Sequence, residues 1–125
     1  MSTILILDDE EAIRDLIKEV LSAEGREFHL AADGRQALDV ALSKDVDLAI
    51  VDRYMPGMSG LEVVQSMRRN PKTSKIKILM CTGASVIPEI EEAFASGADD
   101  YVLKPLDLAY FKAKVAKMLA MPPKP

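Results

Sequence analysis

Residues 3–9 read TILILDD, a short apolar run that stops abruptly at two adjacent carboxylates, Asp8 and Asp9. A run this short, rich in Ile and Leu, fits a strand buried on both faces, the form strands take in parallel sheets covered by helices. Three further runs end in the same manner: LAIV (48–51) at Asp52, IKILMC (76–81) at Thr82, and YVL (101–103) at Lys104. As parallel strands of one sheet, these runs have their carboxyl ends on a common edge, and the polar stops converge. In open α/β sheets that edge is where ligands are held.

Working outward, the runs alternate with longer segments of helical period. Ile13, Leu16, Ile17, Val20 and Leu21 recur at helical spacing over Glu11 to Ala23, with Gly25 as the expected stop. A more polar strand is expected over Phe28 to Ala31, at a sheet edge, and Asp33-Gly34 then turns into a helix carrying Ala37, Leu38, Ala41 and Leu42. The loop RYMPGMSG (53–60) leads to a helix with Leu61, Val64 and Met67, ended by Asn70-Pro71. The next helix is expected from about Ile87, with Glu89, Glu91 and Glu92 at the positive end of its dipole, and Gly97 ends it. A last helix runs from Leu108 to about Ala120, and MPPKP forbids its continuation.

This order is five repeated βα units. With right-handed crossovers, and with strands one, three and four as neighbours so that the polar stops meet, it predicts an α/β doubly wound parallel sheet of flavodoxin-like (βα)5 type, order 2-1-3-4-5. One domain is expected over residues 1–121, with 122–125 a Pro-rich tail or linker stub. At 125 residues and 49% hydrophobic content the chain supports one core and has no room for a second.

A net charge of −4 with scattered Lys and Arg argues against direct nucleic-acid binding. A single cysteine, Cys81, excludes internal disulfides and a zinc cluster. The N-terminus lacks a basic n-region and its apolar stretch is too short for a signal or a membrane span, so a soluble, cytoplasmic chain is expected.

The polar stops suggest a specific chemistry. Asp8, Asp9 and Asp52 concentrate enough negative charge to hold Mg²⁺. A carboxylate can itself attack phosphorus to form an aspartyl phosphate when cations neutralise the transferring oxygens, and Asp52 is the expected nucleophile. Lys104 would supply a compact positive charge and Thr82 a hydroxyl donor to the phosphoryl oxygens. Taken singly, each has a plainer reading: Asp-Asp-Glu-Glu as helix capping, Asp52 as a loop initiator, Thr82 satisfying backbone, Lys104 as a solvated charge. Their joint occurrence at matching strand ends favours the site.

Together, ILILDDEEAIR, DLAIVDRYMPGMSGLE, ILMCTGAS and GADDYVLKP resemble the receiver domain of two-component response regulators, in order and over nearly the whole chain. The resemblance implies a regulatory phosphoacceptor domain and not an enzyme acting on a separate substrate. Asp52 would accept phosphate from a histidine kinase or a histidine phosphotransfer protein. Asp9, Asp52 and the backbone carbonyl of Tyr54 would bind Mg²⁺, with Asp8 helping through water. Thr82 and Lys104 match the phosphate-sensing hydroxyl and lysine, Tyr101 the aromatic switch position, and Lys104-Pro105 a bond that is usually cis. Slow autodephosphorylation is implied too. So is a changed face on the fourth helix, fifth strand and fifth helix, which would bind a downstream target or form a phosphorylation-dependent homodimer.

Gly83 replaces a common alanine, Tyr54 is bulky two positions after the acceptor, and Ala84 is small two positions after Thr82. Tyr54 is expected to shield the acyl phosphate from water. His29 sits on the second strand, away from the site, and Met55, Met58 and Met67 suit packing under the loop. Two competing readings are a haloacid-dehalogenase-type phosphatase, which needs an Asp where this chain has Tyr54, and a flavin module, whose phosphate Asp8 to Glu11 would repel.

Overall fold

The computed structural model describes residues 1–23, 25–83 and 87–125. The expectation attached to Ala84 therefore lies outside the described residues. The elements alternate throughout: β1 (Ser2–Leu7), α1 (Glu11–Leu21), β2 (Arg26–Ala31), α2 (Gly34–Ser43), β3 (Leu48–Asp52), α3 (Gly60–Arg69), β4 (Lys77–Thr82), α4 (Ile87–Ser96), β5 (Asp100–Leu103) and α5 (Leu108–Ala120). The five strands form one parallel sheet in the order β2-β1-β3-β4-β5.

The two-residue period of a strand divides the core. Leu5, Leu7, Ala49, Val51, Ile78 and Met80 face one side of the sheet, where they pack with α2, α3 and α4 residues such as Ala37, Val64 and Ala93. Ile4, Ile6, Leu48, Ile50, Leu79 and Cys81 face the other, under Ile17 and Leu21 of α1 and Phe111, Val115 and Met118 of α5. Both faces of β1, β3 and β4 are thus covered, which is why these strands read as unbroken apolar runs.

Helix starts follow capping chemistry. The Asp33 carboxylate accepts from Gln36 N at 2.9 Å, Asp107 accepts from Tyr110 N at 3.1 Å, and Ser59 with Glu62 forms a reciprocal capping box for α3. Gly97, at φ +118°, ends α4 in a conformation that side-chain-bearing residues rarely adopt.

Three boundaries differ from expectation. Helix α1 stops at Leu21 and not Ala23, because the Ser22 hydroxyl donates to Lys18 O and the Arg26 guanidinium to Leu21 O; Gly25 instead makes the turn into β2. Strand β2 begins at Arg26 and not Phe28, since its six residues pair in register with β1. Strand β4 runs through Thr82, so that hydroxyl belongs to the strand end itself.

Two lysines hold the C-terminal end of the chain. Lys77 Nζ donates to Met118 O at 3.0 Å and Met121 O at 2.5 Å, and Lys124 pairs with Asp99. Among the described residues, no helix is long and apolar enough to cross a membrane.

Candidate functional site

Parallel strands bring Asp8, Asp52, Thr82 and Lys104 to the carboxyl edge of the sheet. Register places Asp52 opposite Cys81 and Thr82 opposite Leu103, and Lys104 N donates to Thr82 O at 2.9 Å, so each polar stop is set one strand from the next. Asp8, Asp52 and Thr82 are buried and Asp9 is exposed.

One carboxylate oxygen from each of Asp8, Asp9 and Asp52 lies within 4.8 Å of the others. From the far side Lys104 reaches over β4, its Nζ 3.0 Å from Asp8 Oδ2 and 3.1 Å from Asp52 Oδ1. The other oxygen of Asp8, Oδ1, accepts from Glu10 N at 2.9 Å, which joins the cluster to the start of α1. Asp8 thus serves the backbone and the site together, while the N-cap of α1, Glu10, makes no side-chain cap hydrogen bond and Glu11 places a carboxylate in the first turn. The Lys104-Pro105 peptide bond is cis.

Burial raises the Asp52 carboxyl above its usual value of 3.8; the hydrogen bond and charge of Lys104 oppose this, and the negative charges of Asp8 and Asp9 reinforce it. Burial alone would lower Lys104, but its hydrogen bonds to Asp8 and Asp52 and their charges carry it above its usual 10.5. The site thus holds a desolvated carboxylate beside a firmly protonated amine, with carboxylates in excess. Burial pushes the Cys81 thiol up to about 12, against the charge of Lys104, so it is inert as a nucleophile.

The residues fit a small divalent cation. Hard oxygen donors gather at one point, two of them desolvated, and an added cation would relieve their mutual repulsion. Lys104 engages one oxygen each of Asp8 and Asp52, and a cation at this point would compete with it for them.

Tyr101 packs against the core and meets Phe94 of α4 edge to face, with ring centroids 5.8 Å apart. His29 lies on edge strand β2, 3.0 Å from Glu27 Oε2 and away from the carboxylates. Met67 is fully buried, with Met55 and Met58 packed on the same core. Two of the glutamates at the start of α4 do more than answer the helix dipole. Glu92 pairs with Arg53 and Glu89 accepts from the Tyr54 hydroxyl at 2.9 Å. Arg53, buried directly after Asp52, had no sequence signal, because an arginine opening a loop reads as solvent-exposed.

The family profile of the response regulator receiver domain matches residues 4–116. The DNA-binding dual master transcriptional regulator RpaA of Synechocystis is 37% identical over 119 residues, 95% of this chain and 49% of that protein. The chemotaxis protein CheY4 of Vibrio cholerae superposes with a TM-score of 0.88 at 31% identity, covering 94% of this chain and 98% of that one. TrrA of Thermotoga maritima, solved in complex with Mg²⁺-BeF, gives a TM-score of 0.81 at 41% identity, covering 94% and 99%.

The chain belongs to the receiver domain family of two-component response regulators, the aspartate-phosphorylated signalling switches. It spans about half the length of the curated relatives it matches. The phosphatase reading finds no support: the position needing a second acid is Tyr54, whose hydroxyl is turned to Glu89.

Proposed function

We propose that Asp52 is the phosphoacceptor of this chain, taking its phosphoryl group from a phosphohistidine on a histidine kinase or phosphotransfer protein. The observation that carries this is the single point at which three carboxylates and the Lys104 ammonium meet. An Asp52 oxygen attacks phosphorus, the P–N bond breaks, and the imidazole leaves and takes up a proton. Lys104 exchanges its contact with Asp52 for the incoming phosphoryl oxygens, and the Thr82 hydroxyl, at the neighbouring strand end, donates to another. Asp9, Asp52 and the Tyr54 carbonyl would hold Mg²⁺, which when bound neutralises phosphoryl charge. The same groups support acceptance from small acyl phosphates and slow self-catalysed dephosphorylation.

In this reading, Tyr101 moves with Thr82, and the α4-β5-α5 face changes for a downstream target, an effector domain or a second copy. The exposed Ile87, Phe94, Leu103 and Tyr110 on these elements supply apolar contact. Residues 1–121 would be the working receiver in the cytoplasm, with 122–125 a tail or linker stub. Labelling with a small radioactive acyl phosphate tests the assignment. Parent protein with Mg²⁺ should label, while Asp52→Asn, or the parent with the metal chelated, should not; equal labelling of parent and variant would overturn it.

A further inference from the structure

The residue after the acceptor is an arginine whose side chain is only 4% exposed. Its backbone is pinned on two sides, the amide donating to Cys81 O and the carbonyl accepting from Gly60 N, each at 2.9 Å. Gly60 approaches so closely that a Cβ there would stand 2.1 Å from the Asp52 carbonyl oxygen. From this rigid base the guanidinium crosses to α4, where Nη1 donates to Glu89 O at 2.8 Å and Nη2 pairs with the Glu92 carboxylate. Tyr54 takes the same course: its hydroxyl donates to Glu89 Oε2, and its ring centroid lies 5.3 Å from the Arg53 guanidinium carbon. The two residues following Asp52 thus clasp the first turns of α4.

As a stabilising device the clasp is poor. The cation is buried, its Nε has no partner among the described residues, and Glu92 remains half in solvent. As a mechanical link it is direct, since nothing separates Arg53 from the acceptor but one peptide bond.

We propose that Arg53 is a positioning residue that couples occupancy of Asp52 to the placement of α4. This rests on Asp52 being the acceptor. The clasp coexists with the Lys104–Asp52 ion pair, which a phosphoryl group must displace. A group entering beside Asp52 strains residues 53 and 54, and the clasp passes that strain to Glu89 and Glu92. By linkage, a clasp that resists this movement weakens binding at Asp52, and its loss strengthens it.

Titration with Mg²⁺ and beryllium fluoride, a phosphoryl mimic, followed by amide NMR, provides the test. The parent should bind and shift its α4 amides. Arg53→Met should bind about three- to tenfold more tightly while its α4 amides respond less than about half as much. Glu92→Gln, which keeps the side chain's shape and an oxygen acceptor for the guanidinium, should move both readouts in the same direction by less, and Arg53→Lys should fall between parent and Arg53→Met. If both Arg53→Met and Glu92→Gln match the parent in affinity and α4 response while Asp52→Asn abolishes binding, the coupling is wrong and acceptance at Asp52 stands. If the parent takes no beryllofluoride at Asp52, both readings fall.

Discussion

Lys104 Nζ donates to Asp52 Oδ1 at 3.1 Å, joining the end of β5 to the end of β3 over the intervening β4. This lysine is also the ammonium that balances buried Asp8. Lys104→Met should therefore leave two desolvated carboxylates without their cation and destabilise the fold by about 3 kcal/mol. Mg²⁺ should restore part of that loss. Urea unfolding with and without the metal measures it; a variant as stable as the parent would show the pair to be superfluous.

The pH dependence follows from the direction of the Asp52 shift. Its carboxyl is raised above the 3.8 of the unfolded chain, so between those values the folded state holds more protons and stability falls as pH rises. Asp52→Asn should then be more stable than the parent at neutral pH, and the difference should vanish below pH 3.8. Lys104 works in the opposite range. Raised above 10.5, its contribution is fully present below that value and lost as pH climbs through the folded one, so alkaline unfolding should be steeper in the parent than in Lys104→Met.

Mg²⁺ should raise thermal stability by mass action, by about 1.4 kcal/mol at ten times its dissociation constant. Asp9→Asn should remove most of that gain at little cost to the metal-free fold, because Asp9 is exposed. Melting curves across a metal titration decide it, and an undiminished gain in the variant would place the cation elsewhere.

Tyr54 is 56% exposed, with its hydroxyl fixed on Glu89. Tyr54→Ala should open the acceptor to water and shorten the lifetime of the phosphorylated protein. An unchanged decay rate would refute the shielding role.

Much of this was legible in the sequence because the signals were local. An apolar run that stops at a charge names both a strand and its end, and the strand-end positions of Asp8, Asp52 and Lys104 followed once the sheet order was fixed. Contacts between distant segments left no such trace. Arg53 reads as a loop residue, and only the fold brings α4 over it. Arg68 is similar: on α3 its alternatives look solvent-facing, yet its guanidinium donates to Gly97 O, Ser74 O, Ile76 O and Asp99 Oδ2, fastening the far end of α4. Burial pulls this arginine below its usual value, against the charge of Asp99. The end of α1 was misplaced for the same reason, since Arg26, five residues beyond Leu21, supplies its cap.

Which carboxylate of the cluster carries the phosphoryl group can be read chemically. Borohydride reduction of the acyl-phosphate-treated protein converts a phosphorylated aspartate to homoserine, which peptide mass spectrometry locates. Homoserine is expected at position 52 alone and only when Mg²⁺ was present. Homoserine at position 8 or 9, or at position 52 without the metal, would contradict it.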